Sequence, residues 1–250
     1  MYSLRRSFGR PGDLRTELLV IDKVIYCVLP FADVSEAALE RAANLVRPLA
    51  SKPRRINHEG RRKAHYAGRA AVGMMARQLG LPVWVVADPE YGYLKLKPQA
   101  GQFACPYVNI SHTDGVAVAA LSPRPIGIDV ERLDRDTEMV LERAAVPEEL
   151  SEAGASVTVD GESVPAGIAL WSGKEAFSKA LGLGLKFGLT AFRLHLSGSP
   201  PFRAATPQKG IFEVQTPAVQ YQRWNEYLLS FCTEREVLSR GLMRFAGDTP

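Results

Sequence analysis

The sequence has few cysteines and no long hydrophobic run, and each absence excludes a class of protein. Only three cysteines occur in 250 residues, and Cys27, Cys105 and Cys232 lie far apart in apolar surroundings. This usage argues against a disulfide scaffold and a Cys-x-x-Cys metal site, and it fits buried, reduced thiols. The longest apolar run, residues 24–32, is far shorter than the ~20 residues of a membrane-spanning helix. We therefore expect a cytoplasmic protein with no membrane partner.

Signals for export and for nucleic-acid binding are also lacking. The arginine pair at residues 5–6 is weakly similar to a twin-arginine leader, but the charged pair at residues 22–23 interrupts the apolar stretch behind it. No basic stripe interleaved with aromatic residues and no zinc-finger spacing occurs, so we expect no nucleic-acid partner. Apolar residues make up 46% and charged residues 23% of the chain, which is the composition of an ordinary globular protein.

Charge is distributed unevenly along the chain, although the formal net charge is only +4. Residues 51–100 hold ten Lys and Arg against three Asp and Glu, a net of +7. Residues 101–150 hold four against nine, a net of −5. A basic segment followed by an acidic one suits a ligand that carries phosphates together with a divalent metal ion. The alternative interpretation is a solvated helix face followed by a solvated loop.

Periodicity and turn residues predict a chain of mixed helices and antiparallel strands, an α+β fold. The proline-rich segment 123–125 breaks the chain near its middle, which predicts two domains, residues 1–123 and 124–250. Helices are predicted over residues 31–49 with Ser35 as N-cap, 58–79, 137–145, from 147 onward, and 169–181. Strands are predicted over residues 18–21, 24–29, 83–87, 91–96, 108–111, 116–122, 126–130, 192–196, 211–214 and 227–233.

Two acidic residues lie two positions apart in the predicted strand that follows the break. Because side chains alternate along a strand, Asp129 and Glu131 project from one face while Ile128 and Val130 face the other way. Two neighbouring carboxylates repel one another unless a cation lies between them, and a hard divalent ion with oxygen ligands is the usual solution. The segment is therefore a candidate metal site, and two solvated acids at a strand end are the alternative.

A second acidic residue of interest lies in the predicted helix of residues 169–181. Glu175 and Lys179 are four residues apart, so they share one helix face. They form either a surface ion pair, which stabilises a protein by only ~0.3–0.5 kcal/mol, or a metal ligand beside a phosphate-binding lysine. The sequence by itself leaves both alternatives open.

A serine and a histidine are adjacent in the segment of residues 109–113. On a strand, Ser111 and His112 point to opposite faces, so they do not form a nucleophile and its base. We therefore reject a serine hydrolase. His112 could donate a hydrogen bond to a phosphate, and a structural histidine is the alternative.

Taken together, these segments resemble a known family. Residues 109–113, 126–131 and 171–179 are similar, in order and spacing, to the three central motifs of the larger, monomeric 4′-phosphopantetheinyl transferases, the type named for the surfactin-synthetase activator. Residues 62–80 resemble the basic helix that precedes these motifs in the family. The resemblance extends over about residues 55–195, and the first fifty residues match nothing in the family.

The resemblance implies a fold, an activity and partners. The fold would be two pseudo-symmetric α/β halves, each an antiparallel sheet packed with helices, with the active site at their interface. The activity would be transfer of the phosphopantetheine arm of coenzyme A to a serine of an apo acyl, aryl or peptidyl carrier protein, with adenosine 3′,5′-bisphosphate as the other product. Mg²⁺, or Mn²⁺ in its place, would be required. A monomer is implied, and the sequence pI of about 9.0 favours encounter with an acidic carrier.

The resemblance also implies roles for individual residues. Asp129, Glu131 and Glu175 would bind the metal ion, and Lys179 would neutralise charge on the reacting phosphates. Glu149 would be the base that takes the serine proton, with Glu148 left open as the alternative. Coenzyme A would contact the following residues, of which Lys95 is the weakest candidate because the Gly-Lys-Pro of many relatives is missing here: Arg62, Arg69, Lys95, Ser111, His112, Lys174 and Lys179.

Two other functions remain open from the sequence. A coenzyme A or carrier-binding module without catalysis would keep the same fold. A different Mg²⁺-dependent phosphotransferase or phosphohydrolase would use the same acidic residues and would release phosphate without any carrier protein.

Overall fold

The chain divides into two units, Met1–Val130 and Glu131–Pro250. This division falls inside a strand, whereas the sequence placed the boundary before that strand. The computed structural model describes residues 6–8, 14–21, 24–44, 46, 56, 58–81, 85–87, 94–96, 107–182, 188–196, 203–207 and 219–233.

The N-terminal unit contains a seven-stranded antiparallel sheet. Its strand order is β1-β2-β3-β7-β6-β5-β4, so the sheet places β3 beside β7, far from it in sequence. The turn between β6 and β7 contains Gly115 at a positive φ of 80°, a conformation that glycine adopts without strain. The strands are β1 (Arg6–Phe8), β2 (Thr16–Ile21), β3 (Val24–Pro30), β4 (Val85–Ala87), β5 (Leu94–Leu96), β6 (Tyr107–Thr113) and β7 (Val116–Ser122).

Two helices pack with this sheet. Helix α1 (Glu36–Ala43) begins after Ser35, whose hydroxyl accepts the Ala38 N–H at 3.3 Å and caps the helix as the sequence predicts. Helix α2 (Glu59–Gln78) turns a face of small residues inward, mostly alanine and glycine. A Cβ on Gly68 would lie only 2.6 Å from Ile110 Cγ2 of β6, so the missing side chain lets α2 approach this strand closely.

The C-terminal unit is built around one buried helix. Strand β8 (Ile126–Arg132) carries the division between the units, and α5 (Ala166–Ala180) buries most of its residues in the C-terminal core. Gly173 of α5 leaves room for Tyr221, whose hydroxyl donates to the Ala169 carbonyl at 2.8 Å. The other elements are α3 (Glu138–Ala144), α4 (Pro147–Ala153), the hairpins β9 (Ser156–Val159) with β10 (Glu162–Pro165) and β13 (Val219–Trp224) with β14 (Tyr227–Thr233), a short 3₁₀ helix (Leu189–Ala191), and β11 (Phe192–His195) paired with β12 (Arg203–Pro207).

The predicted α+β class, with antiparallel sheets packed with helices, is confirmed. Several predicted elements agree closely with the structure, among them α2, β7 and β14. The predicted strand over residues 211–214 lies outside the described residues, and the pseudo-symmetry of the two halves stays a prediction. Cys27 and Cys232 are buried free thiols, and Cys105 also lies outside the described residues. No helix in the described part of the chain combines the length and apolar character needed to cross a membrane.

Candidate functional site

Glu131 is a nearly buried carboxylate at the end of β8, with only 5% of the residue exposed. Its Oε1 accepts a hydrogen bond from Trp171 Nε1 at 2.7 Å and an ion pair from the Arg135 guanidinium. The guanidinium also lies over the Trp171 ring, 5.6 Å from its centroid. Both donors compensate a charge that would be costly to bury alone. Trp171 thereby links the acidic segment of β8 to α5, 40 residues further along the chain.

Asp129 belongs to the N-terminal unit and is only 3% exposed. The hydroxyl of Ser111, itself buried, donates to Asp129 Oδ1 at 2.8 Å. One residue back, the Ile128 N–H donates to Asn109 Oδ1 at 3.0 Å. Two side chains of the segment 109–113 thus hold β8 at the level of Asp129. Ser111, predicted to contact coenzyme A, here positions a predicted metal ligand.

Glu175 and Lys179 form the ion pair that their spacing predicts. Glu175 Oε2 lies 3.2 Å from Lys179 Nζ, and the side chains are 14% and 22% exposed. Both side chains are therefore partly accessible from solvent, in contrast to Lys174, which directly precedes Glu175 in α5 and is buried. A ligand that enters from solvent can therefore reach both side chains.

The three predicted metal ligands fit a hard divalent ion by their donor chemistry, since each offers carboxylate oxygens and none is a soft ligand. Among the described residues, no three His, Cys, Asp or Glu side chains form a ready cluster that could hold a metal ion. Two of the predicted ligands each form an ion pair with a basic side chain four residues later in the chain. Arg135 pairs with Glu131, and Lys179 pairs with Glu175. A divalent ion would compete with these side chains for the carboxylates.

Lys174 and Glu149 form a buried ion pair that the sequence analysis did not predict. Both side chains are fully buried and their charged atoms lie 2.6 Å apart. Lys174 Nζ also donates to the carbonyls of Ala144, Leu189 and Phe192, at 2.8, 2.8 and 3.0 Å. Burial lowers the pKa of Lys174, and the Glu149 carboxylate partly offsets this effect. Lys174 is therefore bonded inside the unit and does not reach a phosphate in this arrangement.

The carboxylate of Glu149 is equally occupied. Oε2 accepts the Val146 N–H at 2.8 Å, which caps α4, and Oε1 accepts the Leu194 N–H at 2.5 Å. With only 1% of the residue exposed, the Glu149 carboxylate is not accessible to a serine of another protein in this arrangement. Glu148, the alternative that the sequence left open, is exposed in the first turn of α4.

Of the predicted coenzyme A contacts in the N-terminal unit, Arg62 already has a counter-ion. Its Nε and Nη2 donate to the two carboxylate oxygens of Glu36 at 2.5 and 3.0 Å, and Nη1 donates to the Ile56 carbonyl at 3.2 Å. The guanidinium accordingly lowers the pKa of Glu36. Lys95 of β5 lies over the ring of Tyr107, 4.8 Å from its centroid. Arg62 is thus neutralised locally, which weakens its prediction as a phosphate contact.

Arg69 has a different kind of partner. Its Nη1 donates to His65 Nδ1 at 2.9 Å and to the His65 carbonyl at 3.2 Å. Burial, followed by the charges of Arg69 and His112, lowers the pKa of His65 to about 4. The side chains of His65, Arg69 and His112 therefore lie near one another.

Sequence reasoning assigned no role to His65, Arg135 or Trp171. For two of them the sequence contained a possible indication of a side-chain contact, namely a spacing of four residues. His65 lies four residues before Arg69, and Arg135 lies four residues after Glu131. Residues four apart share a helix face, but Arg135 follows a strand and lies in a turn, so its spacing alone carried no weight. Trp171 is part of a motif, and only the structure identifies the acceptor of its indole N–H.

Comparison with known proteins gives matches that agree with this site. Residues 125–232 match the model of the 4′-phosphopantetheinyl transferase superfamily. The chain is 32% identical over 101 residues to the 4′-phosphopantetheinyl transferase psf-1 of Bacillus pumilus, covering 40% of this chain and 42% of that protein. It is 34% identical over 107 residues to a 4′-phosphopantetheinyl transferase of Bacillus subtilis, covering 43% of this chain and 45% of that protein.

The matched regions set the extent of this similarity. The chain aligns with less than half the length of these curated relatives. The family match includes the segments of Asp129, Glu131 and Glu175, and it begins after α2 and β6. The match of residues 125–232 to the 4′-phosphopantetheinyl transferase superfamily confirms the resemblance that the motifs of this part of the chain indicate.

Proposed function

We propose that this protein transfers the 4′-phosphopantetheine arm of coenzyme A to a serine of an apo acyl, aryl or peptidyl carrier protein. In this reaction the serine oxygen forms a bond to the β-phosphorus of coenzyme A, and the bond from that phosphorus to the bridging pyrophosphate oxygen breaks, so the bridging oxygen leaves with the nucleotide. The serine proton passes to a base, and adenosine 3′,5′-bisphosphate leaves. The names of the matched superfamily and of the relatives support this reaction class.

The observation that carries the proposal is the hydrogen bond from Trp171 Nε1 to Glu131 Oε1 at 2.7 Å. It connects the two motifs that are most specific to the family, and both lie within the matched residues 125–232. A nearly buried carboxylate is costly unless donors compensate it, so this hydrogen bond supports a role for Glu131 other than that of a solvated surface acid. The hydrogen bond holds Glu131 in one orientation at the end of β8.

The residues divide into four groups by their proposed tasks, of which metal binding and charge stabilisation come first. Asp129, Glu131 and Glu175 would hold Mg²⁺, which supplies neutralisation of charge on the pyrophosphate when it is bound. Lys179, partly exposed beside Glu175, would stabilise the charge that develops on the reacting phosphate.

The remaining tasks are binding and proton transfer. Arg69 and His112 would bind the 3′-phosphate of coenzyme A. The serine proton would go to a base other than the buried Glu149, and Glu148 is the exposed alternative on α4.

The test is intact mass spectrometry of an apo carrier protein incubated with this protein, coenzyme A and Mg²⁺, beside an EDTA control. We expect a mass gain of one phosphopantetheine group that EDTA abolishes. Glu175→Gln should abolish the gain, because it removes one proposed metal ligand. Glu162→Gln is the matched control, since Glu162 is an exposed glutamate that pairs with Arg223 on a hairpin. It should transfer at the parental rate.

Other results would assign another function. Coenzyme A binding without transfer to several carriers would identify a binding module. Release of inorganic phosphate from coenzyme A without a carrier would identify a phosphohydrolase. Near-normal transfer by Glu175→Gln would remove Glu175 from the metal site while leaving the reaction in place.

A further inference from the structure

Arg62 and Arg69, the two arginines of the N-terminal unit that are predicted to bind phosphate, have different hydrogen-bond partners. Arg62 donates to both carboxylate oxygens of Glu36, so its charge is neutralised within the unit. In the described part of the chain, Arg69 donates only to His65, through the ring nitrogen and the carbonyl. Neither of these acceptors is a carboxylate, so the positive charge of Arg69 is not cancelled.

The contact also determines the protonation state of the histidine. An arginine side chain has only donors, so His65 Nδ1 must be the acceptor and the ring proton must be on Nε2. Burial lowers the pKa of His65 to about 4, which keeps the imidazole neutral near pH 7. Burial likewise lowers the pKa of Arg69. Among the described residues its guanidinium donates to His65 and to no carboxylate, so this partly buried cation has no counter-ion there. A partly desolvated cation of this kind binds an anion more strongly than a solvated one.

The backbone brings this pair next to β6. Gly68, directly before Arg69, lies so close to Ile110 that a Cβ would be 2.6 Å from its Cγ2. His112 follows Ile110 by two residues on the same strand and lies close enough for its charge to lower the pKa of His65. His65, Arg69 and His112 therefore form one basic cluster, which we call the α2–β6 cluster.

We propose that His65 is a positioning residue that holds the Arg69 guanidinium toward a phosphate group of coenzyme A without neutralising it. A carboxylate at position 65 would orient Arg69 equally well but would compete with the phosphate, as Glu36 does at Arg62. A neutral imidazole avoids this competition. The inference rests on the proposed function, because that proposal supplies coenzyme A as the ligand and its 3′-phosphate as the group that Arg69 binds.

The test compares coenzyme A with 3′-dephospho-coenzyme A, which lacks only the phosphate in question, by isothermal titration calorimetry. Wild type should bind coenzyme A more tightly. His65→Leu, which removes the acceptor, should reduce this preference about 3- to 10-fold, the range expected for one hydrogen bond. His65→Asn should retain most of it because the amide oxygen can replace Nδ1. His65→Glu should lose it almost completely.

Two further measurements separate positioning from a merely structural role. The affinity for 3′-dephospho-coenzyme A should be the same in wild type and His65→Leu, which controls for folding. In a double-mutant cycle with Arg69→Met, the His65→Leu change should add no further loss of preference, because both act on the same phosphate contact. A purely structural effect of His65 would weaken both ligands equally and would add to the effect of Arg69→Met.

Three outcomes overturn the inference, and they are distinguishable. If wild type binds neither ligand, the proposed function fails and the inference fails with it. If wild type binds both ligands equally, coenzyme A remains the ligand but Arg69 does not bind the 3′-phosphate. If wild type prefers coenzyme A and His65→Leu keeps the full preference, the proposed function stands and His65 has no part in it.

Discussion

Lys174 Nζ and Glu149 Oε2 lie 2.6 Å apart in the core of the C-terminal unit, with neither side chain exposed to solvent. The lysine also reaches the end of α3, the 3₁₀ helix and β11 through its three carbonyl acceptors. The pair thus joins four elements around α5. Both charged side chains therefore contribute to the core of the C-terminal unit.

Breaking this pair should destabilise the protein strongly. Lys174→Met and Glu149→Gln should each lower the free energy of unfolding by ~3–5 kcal/mol, because each leaves one buried charge without its partner. The double variant should lose less than the sum of the single losses, since neither charge remains. Urea denaturation of the four proteins measures this coupling. Additive losses would mean that the two charges do not interact.

The Glu149→Gln variant also distinguishes a structural role of Glu149 from a catalytic role. At a temperature where Glu149→Gln is still folded, transfer should proceed at nearly the parental rate across the pH range. A loss of kcat in the folded variant, with KM unchanged, would return Glu149 to the role of base.

Arg135 should act as a competitor for the proposed metal ion. Arg135→Met removes the guanidinium from Glu131, so Mg²⁺ should raise the melting temperature of this variant more than that of wild type. Arg132→Met is the matched control, because Arg132 pairs with Asp134 at 2.6 Å and touches no proposed metal ligand. An equal Mg²⁺-dependent rise in all three proteins, measured by thermal unfolding, would contradict the competition.

Gly68 should be required for the approach of α2 to β6. Gly68→Ala places a methyl group against Ile110 and should cost about 1–3 kcal/mol of stability through overpacking. Gly60→Ala is the control on the same helix, since its nearest neighbours are 3.4 Å away, and it should be close to neutral. Adding Ile110→Ala to Gly68→Ala should reduce the cost of the glycine substitution. If Gly68→Ala is as stable as wild type, the close approach is not needed.

Cys27 should be chemically inert while the protein is folded. Burial raises the pKa of its thiol to about 12, so almost no thiolate is present near neutral pH. Iodoacetamide should modify Cys27 only after unfolding, as followed by peptide mass spectrometry. Rapid labelling of the native protein would contradict the burial.

The same shift determines a pH dependence of stability. Above the ordinary thiol pKa of 9.0, the unfolded chain loses its proton while the folded chain keeps it up to about 12. The contribution of Cys27 to stability should therefore fall as the pH rises from 9 toward 12. Cys27→Ala should remove this contribution, and the slope of unfolding free energy against pH should become less negative.

Much of the fold could be predicted because its local signals are strong. Helix α2 begins near His58 and ends at Leu79 as predicted, since its face of small residues repeats with helical spacing. The β9–β10 hairpin was missed although its turn contains Asp160-Gly161, both at positive φ, which is a typical hairpin signal. That error came from incomplete use of the sequence, because the physical signal was present.

The candidate site was harder to predict because it depends on where charged side chains point. Lys174 lies four residues after Leu170 and three before Phe177, so it shares the helix face of these two buried apolar residues and its burial was foreseeable. Its partner Glu149 was not foreseeable, since contact between α4 and α5 is a tertiary property. The pairing of His65 with Arg69 rather than with a carboxylate depends in the same way on how α1 and α2 pack.

The hydrogen bond between Trp171 and Glu131 gives the protein an intrinsic fluorescent reporter. The indole is one of three in the chain, and both the carboxylate and the Arg135 guanidinium lie against it. The fluorescence emission of Trp171 depends on the local electric field. An ion that displaces the Arg135 guanidinium from the Glu131 carboxylate should therefore change the wavelength and intensity of this emission. Occupancy of this carboxylate can thus be read optically, in the unlabelled protein and on the time scale of mixing.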